Sequence, residues 1–440
     1  MSSTRNWLGA TWDTVRTSLW LVPGAMLVVG VILGPAMLAL DAGPSAQGFR
    51  THPWLGAGSG EDATNLLSTL LTSVIAMASM VFSVTVVALS LAANSFGPRL
   101  IRTFRSSLST QVVLGIFVMT IVYLLIILRS VRGEMEAADV PAASVALGSL
   151  LAIACVLALL AFIQGVARLI VADEVVRRVR NELDGVIARL SPLEEPDCPA
   201  SSDLPAGFED EAARIRLPQE GYVQSVAYDE LVAWAARRGV VMRLDFRPGD
   251  FVVEGDRKIL IYPPPADPEA ARAEIKRLIV SGQERTPTQD LEFAVRHLVE
   301  VAVRALSPGI NDPFTAMAVI DRLRGGLCRL AARRLPAAAL PDEAGALRLV
   351  RRTTTFDGTV DAAFNQIRQA GSAKPAILIH MLEALVEIAP HVRTADQRDT
   401  LVRHARLIRA AGQRDVPDEA DMGDIDQAFD KAAAALSRSV

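Results

Sequence analysis

The sequence predicts a mainly α-helical membrane protein in which four transmembrane helices precede a cytoplasmic α+β region. Every long apolar stretch of the 440-residue chain lies before residue 172, and four of these stretches are long enough to cross a bilayer. The mean hydropathy is +0.30 although 21% of the residues are charged, which indicates two unlike parts averaged together. After residue 213, short apolar runs alternate with turn signals before helical periodicity takes over.

Four parts follow from this pattern. We predict a four-helix transmembrane domain (1–171), a helical extension and linker (172–212), a small β-rich, barrel-like module (213–265) and a helical cytoplasmic domain (266–440). The predicted spans are 19–40, 66–93, 111–128 and 142–171. The first apolar run has no small-residue cleavage site close behind it, so we interpret it as a retained span rather than a signal peptide.

The loop charges predict the orientation of the spans. The loop 94–110 carries Arg99, Arg102 and Arg105 and no acid, whereas the loops 41–65 and 129–141 have more acids than bases. Basic residues also follow the fourth span and precede the first. Because positive charge is retained on the cytoplasmic side, both termini of this multi-pass protein are predicted to be cytoplasmic.

Composition argues against several kinds of partner. The net charge of −4 and pI near 5.9 supply no broad basic face, so no nucleic-acid partner is expected. Cys155, Cys198 and Cys328 form no CxxC pair, and His297 and His380 each stand without a second histidine at matching spacing. We therefore expect no metal site and no cofactor. We find no catalytic constellation, so no enzyme is predicted.

The second span carries a polar stripe. Its members recur at spacings of 4, 7, 4, 7 and 4, which places them on one side of a helix: Ser68, Thr72, Ser79, Ser83, Ser90 and Asn94. Lipid cannot hydrogen-bond to these groups, so they need another partner. Two alternatives stay open, namely interhelical hydrogen bonds to a neighbouring helix and water in a pore or cavity.

A short basic segment follows the second span. Gly97-Pro98 stops the helix, and Arg99, Arg102 and Arg105 then recur every third residue among apolar neighbours. This segment either fixes the topology against anionic headgroups or forms a positive collar at the cytoplasmic mouth of a pore, favouring anions nearby. No predicted span has an acidic residue in its interior, which argues against ion-coupled transport.

The tail combines short strands with helices. Predicted strands surround Tyr222–Val226, Met242–Phe246, Phe251–Val253 and Ile259–Tyr262, and helices are predicted at 172–190, 289–306, 313–335, 356–371, 375–389 and 397–413. The string Pro-Gly-Asp-Phe-Val-Val-Glu-Gly is similar to biotinyl and lipoyl modules. Lys258 lacks the flanking methionines of those modules, so no attached cofactor is expected.

The sharpest motif of the tail is a helix stop followed by a helix start. It contains Ser307, Pro308, Gly309, Asn311, Asp312 and Pro313. Pro308-Gly309 ends one helix, Asn311 or Asp312 caps the next, and Pro313 fits its first turn. The motif is either a rigid hinge of a helical hairpin or a helix start whose free amides hold an anion.

The motif carries a family resemblance. Leu-Ser-Pro-Gly-Ile-Asn-Asp-Pro-Phe-Thr-Ala closely resembles the signature of bacterial membrane proteins grouped as domain of unknown function 2254. Phe82-Ser83-Val84, the turn Pro98-Arg99-Leu100 and Gly221-Tyr222-Val223-Gln224 match its pattern as well, so the resemblance covers nearly the whole chain. It implies a protein of the bacterial inner membrane with a cytosolic tail, and it carries over no catalytic residue.

Two hypotheses for the function remain at this stage. The first is an oligomeric channel or pore for small ions, with the second span lining the path and the tail assembling or gating it. The four spans of one chain have too little polar surface to enclose a pore, so this hypothesis needs a homo-oligomer in the lipid bilayer. The alternative is a membrane-anchored signalling or scaffold protein whose cytoplasmic domain binds a partner, with the polar stripe buried between helices.

Overall fold

A computed structural model describes residues 21–43, 59–96, 108–136, 139–169, 172–188, 190–193, 204–217, 219–286 and 289–438. The described residues form two compact units that divide between Glu174 and Val175. We call them the membrane unit and the tail unit.

The membrane unit contains four long helices: α1 (Leu21–Asp41), α2 (Gly60–Phe96), α3 (Leu108–Ser130) and α4 (Ala142–Leu169). Each is long and apolar enough to cross a bilayer, with a mean hydropathy of 2.2 to 2.7, so the prediction of four candidate spans is confirmed. Helix α2 begins at Gly60 rather than near residue 66. The reason is a reciprocal cap, because the side chains of Ser59 and Asp62 each accept a hydrogen bond from the other's backbone N–H.

Helix α3 packs against the other three spans. Its side chains Phe117, Tyr123, Leu124 and Ile127 are fully buried in the core of the membrane unit. Helix α1 approaches α3 closely, since a Cβ atom on Gly30 would lie 2.8 Å from the carbonyl oxygen of Met119. Small residues therefore bring the two backbones together, as expected where lipid supplies no hydrophobic driving force between helices.

A buried carboxylate joins three of the spans at one end of the membrane unit. Asp41, the last residue of α1, accepts hydrogen bonds from the backbone N–H groups of Ala143 (3.1 Å) and Ser144 (2.8 Å) and from the Ser144 hydroxyl (2.6 Å). Tyr123 of α3 donates its hydroxyl proton to the carbonyl oxygen of Ser144 (2.9 Å). Asp41 thus caps the first turn of α4 from another helix and satisfies amides that have no partner within α4.

The tail unit begins with α5 (Ala172–Ala188) and α6 (Phe208–Glu211), followed by two sheets and two short helices, α7 (Tyr228–Arg238) and α8 (Pro268–Lys276). The strands are β1 (Ala213–Ile215), β2 (Gly221–Val226), β3 (Val241–Leu244), β4 (Phe251–Val252), β5 (Ile259–Tyr262), β6 (Ile279–Gly282), β7 (Ala339–Pro341) and β8 (Leu347–Arg351). One sheet has the order β1-β5-β3-β8-β7, and the other has the order β4-β2-β6.

The described strands form two open sheets and close no barrel, which corrects the expected barrel-like module at 213–265. Three strands come from beyond residue 265, in a region that we expected to be wholly helical. Strand β8 pairs in parallel with β3, with Met242 opposite Leu349. Because that pairing joins residues far apart in the chain, the local pattern around 213–265 contains no trace of it.

The remaining helices of the tail unit are α9 (Leu291–Ala305), α10 (Pro313–Ala331), α11 (Phe356–Ala370), α12 (Pro375–Ile388), α13 (Ala395–Asp415) and α14 (Glu419–Ser437). All but α14 were predicted. Helix α5 packs on this layer through its buried face of Val176, Val179, Leu183 and Ile187. A Cβ atom on Gly326 of α10 would lie 2.8 Å from the Leu183 side chain, which shows how closely α5 and α10 approach.

Buried acids connect the sheets of the tail unit to its helices. Glu292 is 3% exposed and bonds to Arg247 (2.7 Å), which lies in the turn between β3 and β4, and to Arg296 (3.3 Å) on its own helix. Asp290 is equally buried, bonds to Arg285 (2.5 Å) and caps α9 at the N–H of Phe293 (3.1 Å). Burial raises the pKa of Asp290 even though the Arg285 guanidinium opposes the shift.

We predict that Asp41→Ala destabilises the membrane unit by about 1–3 kcal/mol, because two buried amides at the start of α4 lose their acceptor. Thermal unfolding of the detergent-solubilised protein, followed by tryptophan fluorescence, measures the effect. Asp62→Ala is the matched control, since Asp62 is exposed and bonds only within the first turn of α2. Equal losses for the two variants would contradict the role of Asp41.

We predict that Glu292→Ala destabilises the tail unit by about 2–3 kcal/mol, because two arginines lose a buried counter-charge. The loss stays below the range for fully buried pairs since Arg247 remains 20% exposed. Chemical unfolding of the full-length protein in detergent, followed by far-ultraviolet circular dichroism, measures the change. The exposed Glu343 provides the control Glu343→Ala. An unchanged unfolding midpoint for Glu292→Ala would contradict this account.

Candidate functional site

The hydroxyl groups of the second span lie on the outer surface of the membrane unit. Ser68, Thr72, Ser79, Ser83 and Ser90 of α2 are all exposed, and we call this surface the hydroxyl face. The opposite side of α2 is buried through Ala63, Leu67, Val74, Ala78, Val81 and Ala88. The predicted stripe therefore does not pack against the described spans of its own chain.

The exposed side of α2 has a seven-residue repeat that the sequence analysis missed. Alternating steps of four and three residues connect Asn65, Thr69, Thr72, Ala76, Ser79, Ser83, Val86 and Ser90, all exposed. Such a repeat keeps one seam facing a neighbouring helix in a left-handed pair. The predicted stripe does not include Thr69, so the seven-residue repeat can be recognised only when the buried side of α2 is known.

Several of the exposed hydroxyls donate a hydrogen bond to a backbone carbonyl oxygen of the same helix. Thr72 donates to the carbonyl oxygen of Ser68 (2.8 Å), Ser79 to that of Ile75 (2.9 Å) and Ser90 to that of Val86 (2.9 Å). A carbonyl oxygen can only accept, so the single hydroxyl proton must lie in this bond. These side chains consequently present oxygen lone pairs to whatever lies outside the helix.

Other members of the predicted site cannot be placed. The side chain of Asn94 and the residues Arg99, Arg102 and Arg105 lie outside the described residues. The proposed cytoplasmic mouth therefore stays a prediction from the sequence.

The motif of the tail forms the predicted helix stop and start. Asp312 caps α10 by accepting a hydrogen bond from the N–H of Thr315 (3.1 Å), and Pro313 is the first residue of the helix. Asn311 has a positive φ of 48°, a conformation that asparagine tolerates better than most residues. Its side-chain oxygen accepts a hydrogen bond from Lys374, which holds the turn against the start of α12.

The geometry of the motif disfavours the anion-binding alternative. The Asp312 carboxylate already occupies the start of α10, and hydrogen bonds from the Thr315 side chain and backbone lower its pKa. A charged carboxylate at this position repels a second anion. The motif instead presents apolar side chains to solvent, because Ile310 is 45% exposed and Phe314 is 80% exposed.

The two histidines considered in the sequence lie in ordinary packing environments. His380 contacts Asp321 (3.0 Å) and Glu383 (3.6 Å), and His297 is buried with its ring 4.3 Å from that of Phe293. No group of three or more His, Cys, Asp or Glu side chains is arranged to hold a metal ion among the described residues. Lys258 pairs with Asp256 at 2.9 Å.

Comparison with known proteins agrees with the membrane architecture. A family model described as "Predicted membrane protein (DUF2254)" matches residues 16–387. The uncharacterized protein MT1328 of Mycobacterium tuberculosis (strain CDC 1551 / Oshkosh) is 28% identical over 431 residues, which are 97% of this chain and 82% of that protein. The uncharacterized protein Mb1321c of Mycobacterium bovis has the same identity and coverage. No solved structure matches the chain.

The family match extends over most of the structure described above. It includes the four candidate spans, both sheets and the motif at 307–313. With a match over residues 16–387 of 440, the chain belongs to the DUF2254 family of predicted membrane proteins.

Proposed function

We propose that this protein is an oligomeric channel of the bacterial inner membrane, in which the α2 helices of several copies line a path for small ions. The observation that carries the proposal is the hydroxyl face, which lies exposed on the membrane unit instead of packing against the other spans. A row of hydroxyls at membrane depth calls for a polar or protein neighbour, and further copies of α2 supply one.

The repeat along α2 supports assembly through this helix. The seam between Asn65 and Ser90 is composed mainly of small residues, which permit close approach of like helices. Its seven-residue period suits helices that cross at a shallow left-handed angle. Several such helices around an axis would turn their hydroxyl faces inward and leave larger exposed side chains, such as Ile75, Phe82 and Val87, toward neighbouring spans or lipid.

The lining favours cations in this arrangement. The hydroxyls of Thr72, Ser79 and Ser90 donate to backbone carbonyls, so their outward lone pairs act as acceptors. Acceptor oxygens replace water around a cation and leave an anion without donors. Arg99, Arg102 and Arg105, which lie outside the described residues, would instead favour anions at the cytoplasmic mouth, so the cation preference is assigned to the α2 lining alone.

The tail is proposed to assemble or gate the path from the cytoplasmic side, an orientation supported by the loop charges. Helix α5 starts three positions after the end of α4 and packs its apolar face on α10. Asp184 of α5 also forms an ion pair with Arg329 of α10. The helix that follows the fourth span therefore belongs to the packed layer of the tail.

The alternative, a membrane-anchored scaffold, predicts that the stripe is buried between helices. Ser68, Ser79 and Ser83 are exposed on the described spans of one chain, so this burial would need helices of another protein. We prefer the channel because further copies of α2 supply the neighbours that these hydroxyls need.

We predict that purified protein in liposomes conducts K⁺ and that Ser79→Leu lowers the flux at least tenfold by placing an apolar side chain in the path. Potassium-flux assays with an ionophore endpoint measure the change. Ser149→Leu is the control, since Ser149 is a half-buried hydroxyl of α4 that lies off the hydroxyl face and donates to the carbonyl oxygen of Val145. Ser149→Leu should leave the flux within about twofold of the wild type.

We also predict that Ser79→Cys reacts with a water-soluble thiol reagent and forms disulfides between copies. Leu157→Cys, on the exposed apolar side of α4, should do neither. An intact oligomer without K⁺ flux, or a Ser79→Cys variant as unreactive as Leu157→Cys, would sink the channel proposal.

A further inference from the structure

The exposed large apolar side chains of the tail unit come as two pairs. In the described part of the tail they are Phe251 (48% exposed), Val253 (47%), Ile310 (45%) and Phe314 (80%). The members of each pair are close in sequence, at spacings of two and four residues. Contiguous exposed apolar surface marks contact sites, whereas single exposed apolar side chains are ordinary.

The first pair lies at strand β4 and has two exposed acids beside it. Phe251 packs edge-on against Tyr222 of β2, with ring centroids 5.1 Å apart. Because Gly221 pairs with Val252, the exposed Glu220 lies beside Val253, and the exposed Glu254 follows it in the chain. We call these five residues, Glu220, Tyr222, Phe251, Val253 and Glu254, the β4 patch.

The second pair lies at the motif and is accompanied by two bases and by the capping carboxylate of Asp312. Lys374 bonds to Asn311 between Ile310 and Phe314, and Arg304 lies in the last turn of α9 just before the motif. Backbone hydrogen bonds fix the turn, since Asn311 donates to Ser307 (2.8 Å) and Asp312 donates to Ala305 (2.8 Å). We call Arg304, Ile310, Phe314 and Lys374 the motif tip.

We propose that the motif tip of one copy binds the β4 patch of a second copy. The two surfaces are complementary, because an apolar tip with two bases and one acid meets an apolar patch with two acids. Contact between two motif tips would instead bring Lys374 against Lys374. An anionic bilayer surface could receive the motif tip, but it would repel Glu220 and Glu254 and leave the β4 patch uncovered.

The proposed contact joins two different surfaces, and this determines how copies can be arranged. A contact that joins unlike patches is heterologous, so each copy offers one tip and one patch to its neighbours. Such contacts close into a ring when the rotation between copies allows it. The contact lies in the tail unit and does not depend on ion conduction by α2.

Cysteine cross-linking of the full-length protein in membranes tests the proposal. Two differently tagged copies are co-expressed in a background with Cys155→Ala, Cys198→Ser and Cys328→Ser, one carrying Phe314→Cys and the other Phe251→Cys. We expect oxidation to link the two tags. The control replaces Phe251→Cys by Ala344→Cys, an exposed position in the turn between β7 and β8, and should reduce the linked fraction at least tenfold.

Charge reversal gives a second readout. Lys374→Glu in the Phe314→Cys copy should lower the linked fraction about tenfold at low salt, and Glu254→Lys in its partner should restore most of it. Links between two Phe314→Cys copies, a yield no higher than with Ala344→Cys, or quenching of a fluorophore at Phe314→Cys by spin-labelled lipids would each overturn the proposal. Loss of K⁺ flux or of Ser79→Cys cross-links bears on the channel alone, so the two proposals can fail separately.

Discussion

The bilayer offers no hydrogen bonds, and the architecture of the membrane unit follows from that constraint. At one end, Asp41 supplies the acceptor that the first amides of α4 lack, and Tyr123 satisfies the carbonyl oxygen of Ser144. Along α2, the hydroxyls of Thr72, Ser79 and Ser90 donate hydrogen bonds to the backbone carbonyl oxygens one helical turn earlier. Polar groups can therefore lie within the spans without weakening them, and their remaining lone pairs are left for contacts outside the chain.

In the tail unit, buried carboxylates are paired with arginines. Asp290 and Glu292 are buried at the start of α9, where the positive end of the helix dipole and nearby arginines stabilise them. Arg247 reaches Glu292 from the turn between β3 and β4, so the sheets and the helical layer share one ionic network. A second connection comes from α5, whose apolar face completes the core beside α10. Ionic and apolar contacts together therefore connect the elements of the tail unit.

Much of this arrangement could be predicted from the sequence, since the relevant signals are local. Apolar length identifies the four spans, and the order Asp312-Pro313 identifies the start of α10. Features that depend on long-range contacts could not be predicted. The residues near 242 contain no signal for a parallel partner at residue 349, and α14 was missed because its many acidic residues mask the apolar face that packs on α12.

For the candidate site, the sequence predicts which residues share a side of α2 but not what that side faces. The spacing of Ser68, Ser79 and Ser90 places them on one side of a helix, which requires only helical geometry. Whether that side faces inward depends on which residues of α2 the other spans bury. Leu67, Val74 and Val81 decide this by packing, and their apolar character alone does not distinguish them from exposed Ile75 and Val87. The sequence likewise gives no sign that Glu292 is buried, because its partner Arg247 lies in a distant turn.

The parallel pairing of β3 with β8 also imposes an order of events on biosynthesis. Strand β3 ends at Leu244, yet its parallel neighbour β8 begins at Leu347. The larger sheet therefore stays incomplete until most of the chain has left the ribosome. The four spans are synthesised long before that point and can enter the membrane while the tail is still unfolded. Pairings of such high sequence separation form slowly, because a long loop must close before any contact compensates for the lost entropy. Assembly of the tail therefore comes after membrane insertion, and a chain interrupted before Leu347 would be anchored in the bilayer without the strand that joins β3 to β7.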